Sequence, residues 1–180
     1  SEDVSMNNYI EPNKFQSIDL NEPKQLRNIL GQFVTGVTII TTRGQDGRKI
    51  GMTANSFSSL SLDPPLILWS LSNTAPSLSD FMATKQFVIH MLGQEHHGLS
   101  GHFSRGVTDK FSNVAHTETA EGTPLIEHAL VTLICENYQQ VEGGDHTIFI
   151  GKINKYHKRD GEPLVFHAGQ YRSITIHPEL

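Results

Sequence analysis

The stretch ALVTLICENYQQVEGGDHTIFIGKINKYHK, residues 129–158, decides what kind of fold this chain can adopt. Two long runs rich in Val, Ile, Thr, Phe and Tyr flank Glu142-Gly143-Gly144-Asp145. β-Branched and aromatic side chains pack well on a pleated surface. A Gly-Gly pair between such runs supplies the backbone freedom of a tight hairpin. The spacing predicts two long antiparallel strands joined by a short turn. No helical pattern separates them, whereas βαβ units need strands alternating with helices.

Working outward, VTIITT (37–42), KIGMTAN (49–55), LILWSL (66–71) and QFVIHML (86–92) read as further strands, LILWSL as a buried one. Asp46-Gly47 marks a hairpin between the first two. After the Asp160-Gly161 turn, PLVFHAGQYRSI (163–174) reads as a last short strand. NEPKQLRNILGQF (21–33) reads as a helix with Asn21 as N-cap and Pro23 in the first turn. Leu26, Leu30 and Phe33 line one face, and Gly36 is the stop. Residues 76–85 predict a short helix and 95–104 a weaker one. Asp63-Pro64-Pro65 must interrupt regular structure, since proline removes a donor and restrains its neighbours. The expectation is a mainly β protein, an antiparallel barrel with appended helices, with residues 1–20 as an N-terminal arm and 21–180 as one domain.

The bulk properties exclude several classes. The chain has 180 residues, a net charge of −5 and scattered Lys and Arg, of which only Lys155, Lys158 and Arg159 lie close together. That balance argues against nucleic acid, which rewards a clustered basic face. No apolar run reaches the roughly 18 residues of a membrane span. The first residues do not resemble a secretory signal, and the lone Cys135 suits a reducing compartment, so a cytoplasmic, soluble protein is expected. There is no G-x-x-x-x-G-K-[ST] and no G-x-G-x-x-G. Gly98-Leu99-Ser100-Gly101 lacks the G-x-S-x-G spacing of a nucleophile elbow. The ten histidines show no H-E-x-x-H spacing, and no metal is expected. Cys135, inside an apolar run, reads as an inert buried thiol.

GMTANSFSSLSLDPP (51–65) is harder to place, because it is polar yet uncharged until Asp63. Such a row of hydroxyls and amides either satisfies local backbone or cradles a large, mostly neutral, planar heterocycle. Arg or Lys nearby would handle a terminal phosphate. His146 stands where the 129–158 hairpin turns. It reads either as a turn-edge imidazole bonded to a backbone carbonyl or as a functional group. Trp69 and Phe57 read as core.

FVTGVTIITT, GMTANSFSSLSLDPPL, GDHTIFIGKI and PLVFHAGQYRSI together resemble the flavin reductase-like family, whose fold is the FMN-binding split barrel. The likeness runs from about Leu26 to Ile174. It implies a homodimer that transfers hydride from NADH or NADPH to FMN or FAD and supplies reduced flavin to a partner monooxygenase. By resemblance, Thr53, Ala54, Asn55 and Ser56 lie against the ring and ribityl chain, and Val37 and Thr38 also line the flavin. Ser70, Leu71, Ser72 and Ser77 belong to the ribityl and phosphate side. Phe103-Ser104 and Lys110-Phe111 close that end. His146, Tyr171 and Arg172 face the ring where the nicotinamide stacks, with His146 the catalytic candidate. Other readings stay open at this point: a different redox task on the same barrel, such as a pyridoxamine-phosphate-oxidase-like reaction; a non-catalytic flavin carrier; or a structural dimer without flavin.

Overall fold

The computed structural model describes residues 10–180, so the first part of the expected arm lies outside the described residues. Residues 10–22 are exposed and carry a 3-10 turn at Pro12–Lys14 and a turn at Leu20-Asn21 closed by the Glu22 amide donating to the Asp19 carbonyl. Helix α1 spans Pro23–Leu30. Strands β1 (Thr35–Gly36), β2 (Thr38–Arg43), β3 (Lys49–Ala54), β4 (Ser58–Leu62) and β5 (Pro65–Ser72) follow, then helix α2 (Leu78–Ala83) and β6 (Gln86–Met91). Helix α3 is His97–Phe103. The chain closes with β7 (His116–Glu118), β8 (Pro124–Ile126), β9 (Val131–Gly143), β10 (His146–Lys158), β11 (Val165–His167) and β12 (Gln170–Arg172).

Seven strands form one antiparallel sheet in the order β3-β2-β6-β9-β10-β5-β4. β1, β11 and β12 form a small second sheet, and β7 pairs with β8. The long hairpin read from residues 129–158 is the centre of the large sheet, with Gly144 at φ 64° in its turn. A register shift at Ile150/Gly151 bends β10, where the Phe87 ring packs too close to Gly151 for any Cβ. β10 outruns its outer neighbour: its last pair with β5 is Lys152 with Leu66, and Ile153–Lys158 continue along β9 alone.

Side chains alternate across a strand, so the adjacent Ile39 and Ile40 of β2 enter two different cores. The larger core holds Ile40, Trp69, Phe81, Phe87 and Phe149, with Trp69 stacked on Phe149 at 4.8 Å and edge-on to Phe81 at 4.9 Å. The smaller holds Val37, Ile39, Leu92, Phe103, Phe111, Ile126 and Leu164. Each fully buried aromatic contributes about 1.5–3 kcal/mol of transfer free energy. Trp69 is core as expected, and Phe57 packs half-buried against the larger cluster.

Several local expectations need correction. Asn21 does not cap α1: Glu22 holds that position without a side-chain bond, and the Asn21 amide instead donates to Asp19 Oδ1 at 2.9 Å. The helix ends at Leu30, with the Gly31 amide donating to the Arg27 carbonyl, so Gly36 is no stop but part of β1. The expected strand at 66–71 is buried on one face only, at Ile67, Trp69 and Leu71. Asp63-Pro64, a cis peptide, interrupts the strands as expected and forms the turn from β4 to β5, but Pro65 already belongs to β5. PLVFHAGQYRSI holds two strands, not one, folded around Ala168-Gly169. β7 and β8 were not expected at all, because three-residue strands carry too little periodicity to read.

Candidate active site

A cleft of about 950 Å³ opens between three segments: the β2–β3 hairpin, the entry to α2 at Ala75-Pro76-Ser77, and the chain from Phe103 to Lys110 that leaves α3. Its floor is the smaller core. Gly51 lies against the Phe103 and Phe111 rings, which stand edge-on at 5.1 Å, so the strand backbone forms part of the wall.

Hydroxyl groups ring the cleft with fixed roles. Thr53 Oγ1 donates to the Ser100 carbonyl at 2.6 Å, and Ser104 Oγ donates to the Gly101 carbonyl at 2.7 Å. Each therefore keeps only lone pairs for a ligand. Lys110 Nζ donates to the Gly51 carbonyl at 3.1 Å and to the Phe103 carbonyl at 2.8 Å. Burial pushes its pKa below the ordinary lysine value, because a half-buried ammonium loses hydration.

Of the residues singled out from the sequence, Thr53, Ser77, Phe103, Ser104 and Lys110 line this cleft together. Phe111 lies beneath it in the smaller core, as does Val37. Thr38 is buried, its hydroxyl donating to the Ala54 carbonyl at 2.6 Å across the β2–β3 ladder. Asn55 is exposed at the end of β3. Ser56 Oγ accepts the Ser70 amide at 3.0 Å and donates to the Ser70 carbonyl at 3.1 Å, which ties β5 to the loop before β4. Leu71 is core, and Ser72 Oγ bonds Thr74 Oγ1 at 2.9 Å.

The polar row thus divides. Thr53 serves the cleft, Ser56 serves backbone, and Ser58, Ser59 and Ser61 belong to the edge strand β4, where Ser58 Oγ bonds its neighbour's carbonyl.

His146 stands apart from the cleft lining, paired with Ser72 across the β5–β10 ladder. Its Nδ1 lies 2.7 Å from Asp145 Oδ1, so its partner is a carboxylate and not the backbone carbonyl expected at a turn edge. The hydrogen bond from His146 holds the Asp145 carboxyl below its ordinary value. Tyr171 bonds Ser100 Oγ at 2.8 Å, tying β12 to α3, and Arg172 is exposed beside it. Ser100, the failed nucleophile elbow, is buried and serves this link.

Sequence reasoning missed the cations. Arg43, Arg48, Lys49 and Arg105 also border the cleft, with the carboxylates of Asp80 and Asp109. The hydrogen bond from Arg43 is the main cause that lowers the Glu118 carboxyl. The sequence signal was a basic residue on either side of Asp46-Gly47, which becomes meaningful only once the hairpin faces Arg105.

The flavin reductase like domain family matches residues 30–175. The chain belongs to the flavin reductase-like family. It is 38% identical over 148 residues to the FMN reductase (NADH) SmoA of Agrobacterium fabrum, covering 82% of this chain and 84% of that one. It is 36% identical over 152 residues to the reductase component of the flavin-dependent trigonelline monooxygenase of Acinetobacter baylyi. That match takes in 84% of this chain but only 49% of the relative, about half its length. Among solved structures, the NADH:FAD oxidoreductase SgcE6 of Streptomyces globisporus C-1027, in complex with NAD and FAD fragments, superposes with a TM-score of 0.83 at 34% identity, covering 89% of this chain and 98% of that one.

The cleft suits the group these names share. It has the volume for a large ligand, mostly neutral walls with placed hydroxyls, and cations gathered toward its hairpin side and the Ser104–Lys110 segment. No described helix is long and apolar enough to cross a membrane.

Proposed function

We propose that this protein is an NAD(P)H-dependent flavin reductase whose cleft binds FMN or FAD. One observation carries the reading. Thr53 from the T-A-N-S stretch and Ser104 and Lys110 from the segment after α3 meet on a single cleft, in a chain of the flavin reductase-like family. Bound flavin supplies the chemistry by accepting a hydride at N5 from the nicotinamide.

The chain's own residues do the rest. Thr53 and Ser104, their protons committed to carbonyls, present acceptors to the hydroxyls and N–H groups of the ligand. Ser77 at the entry to α2 supplies a further hydroxyl. The Phe103 and Phe111 rings under Gly51 keep the floor dry and rigid, which holds reactants at near-attack distance. Tyr171 and Arg172 stand at the nicotinamide side in this reading. His146 is the proposed catalytic residue, orienting the nicotinamide or assisting a proton. Asp145 accepts from Nδ1, which leaves Nε2 as the free ring position.

The split-barrel, homodimeric form belongs to the same reading. Among the described residues, α1 and its flanks expose Leu20, Ile29, Leu30, Phe33 and Val34, with Leu20 at 90% and Phe33 at 81%. An amphipathic helix with its apolar side open to water is what a second copy would cover. A partner monooxygenase would consume the reduced flavin, and a cytoplasmic setting would supply the pyridine nucleotide.

The test is NADH or NADPH oxidation followed at 340 nm with added FMN or FAD. Flavin-dependent turnover that scales with protein is expected. Flavin that binds yet stays oxidised with both nucleotides would defeat the reductase reading.

A further inference from the structure

We propose that Asp80 is a specificity-determining residue on the hairpin side of the cleft, where its carboxylate accepts the vicinal hydroxyls of an adenosine ribose. The proposal rests on the flavin reading above and extends that cleft to a ligand larger than a mononucleotide. Either FAD or the pyridine nucleotide carries such a ribose, and the experiment separates the two sources.

Asp80 is a carboxylate with too few partners for its burial. It is 7% exposed, sits in the first turn of α2 and borders the cleft. A charge taken out of water needs close hydrogen-bond partners. Here Oδ1 accepts the Gln45 amide at 3.2 Å, while Oδ2 has no hydrogen bond among the described residues. Arg48 Nη2 stands 3.7 Å from Oδ2, an ion pair beyond hydrogen-bond distance. That guanidinium is committed elsewhere, with its Nε 2.5 Å from Asp46 Oδ2. Arg43 and Lys49 on the same wall are matched by Glu118. A carboxylate can accept about four hydrogen bonds, so Asp80 keeps acceptor capacity for a ligand in the cleft.

The carboxylate is also held still. Phe81, next to it, is fully buried and edge-on to Trp69 at 4.9 Å, which anchors the helix in the larger core. On the hairpin side, Gly44 comes so near that a Cβ there would stand 3.2 Å from Asp80 Oδ1. An acceptor fixed from both sides is prepared for its donor before the ligand arrives.

The chemistry selects that donor. A carboxylate repels a phosphate and accepts from neutral hydroxyls. Both hydroxyls of a ribose can donate to one carboxylate, as when an acidic residue holds the ribose of NAD in dinucleotide folds. The cleft, at about 950 Å³, lies at the upper end of the roughly 300–1,000 Å³ of small-molecule sites. Thr53, Ser104 and Lys110 serve the flavin in the reading above, which leaves the hairpin wall for an adenosine. Beside Asp80, the lining offers Ile50, Pro76 and the Arg48 guanidinium held by Asp46. A planar base stacks on such a guanidinium.

The experiment compares Asp80→Ala and Asp80→Asn with the parent. Riboflavin, FMN and FAD are titrated in turn. Steady-state KM values are taken for NADH and for reduced nicotinamide mononucleotide, which lacks adenosine. With FAD as the source, Asp80→Ala raises the Kd for FAD about ten- to a hundredfold, as for loss of a charge-assisted bond, and leaves FMN and riboflavin unmoved. With the pyridine nucleotide as the source, the KM for NADH rises by that factor and the KM for the mononucleotide stays. Asp80→Asn keeps an acceptor for the Gln45 amide and should give a smaller change in the same pattern.

The assignment falls if Asp80→Ala weakens riboflavin and FMN as much as FAD. The carboxylate then serves the ribityl chain or only seats the hairpin. It falls equally if both KM values rise together, or if no flavin affinity and neither KM moves. Should Asp80→Ala fail to fold, Asp80→Asn decides alone by the same pattern. A parent protein that binds none of the three flavins defeats the flavin reading itself, an outcome distinct from all of these.

Discussion

The backbone amide of Ile126 donates to Nε2 of His90 at 3.0 Å, in a place where the imidazole meets no water. The other ring nitrogen, Nδ1, donates to the Ile39 carbonyl at 2.9 Å. One neutral ring thus joins β2, β6 and β8. Burial pushes its pKa from 6.5 down to about 4, against the opposing pull of the Ile39 carbonyl.

The pH dependence follows from that shift. Between pH 6.5 and about 4 the unfolded chain binds a proton at this residue and the folded protein does not. Stability therefore falls as the pH is lowered through that window, by about 3 kcal/mol once it is crossed. Denaturant midpoints at pH 7.5 and 4.5 check this. The parent should lose more stability on acidification than His90→Gln, which has no imidazole to titrate. Parallel losses in the two proteins would remove His90 as the cause.

Gly51→Ala should destabilise the cleft floor. A Cβ there would lie 2.7 Å from Cε1 of Phe103 and 3.0 Å from Cζ of Phe111, two buried rings with no room to retreat. Overpacking of this kind costs about 1–3 kcal/mol, and each kcal/mol lowers the Tm by about 2–4 °C in a chain of this size. Adding Phe103→Leu should return part of the loss, read as a non-additive double-mutant cycle. Additive losses would mean the two positions do not collide.

Asn137 holds the end of α2. Its Nδ2 donates to the Phe81 carbonyl at 2.8 Å and to the Thr84 carbonyl at 2.9 Å. Asn137→Ala leaves those carbonyls without their donor, at a cost of about 1–3 kcal/mol. The same helix begins just after Ser77, so the expected signature is a lower melting temperature together with weaker flavin binding. A stable variant with unchanged affinity would show that the far end of α2 does not set the cleft wall.

Cys135 should be silent in the native protein. It is fully buried, and burial pushes its thiol up to about 12. Because the thiolate is the nucleophile, a chromogenic disulfide reagent at pH 8 should find no thiol before unfolding and one afterwards. Rapid native labelling would contradict the burial.

The long hairpin was legible because the β-branched and aromatic runs of β9 and β10 flank a Gly-Gly turn. β1 was not, since it is set by a partner far along the chain, with Thr35 opposite Phe166, and β7 and β8, though close neighbours, are three residues each and carry too little periodicity to read. The polar row after Gly51 named the right place but mixed three duties, because sequence does not say which hydroxyl turns toward a neighbouring strand. Lys110 was found through its resemblance to a family pattern, yet its bonds to Gly51 and Phe103 join segments 59 and 7 residues away. The cations looked scattered for the same reason. Arg48 and Arg105 become neighbours on one cleft only after β2, β3 and α3 have packed on Phe103.

The step in the large sheet, where β10 runs on past Leu66 beside β9 alone, leaves a short open border among the described residues. Backbone donors and acceptors there are a template for any stray strand. Lys155 and Lys158 stand on that border with Tyr156, which is 75% exposed. Positive charge on a free strand edge makes stacking of like chains unfavourable. These two lysines, close together in a sequence whose cations otherwise look scattered, thus act as solubility guards, keeping an unfinished margin of the sheet from being finished by the wrong molecule.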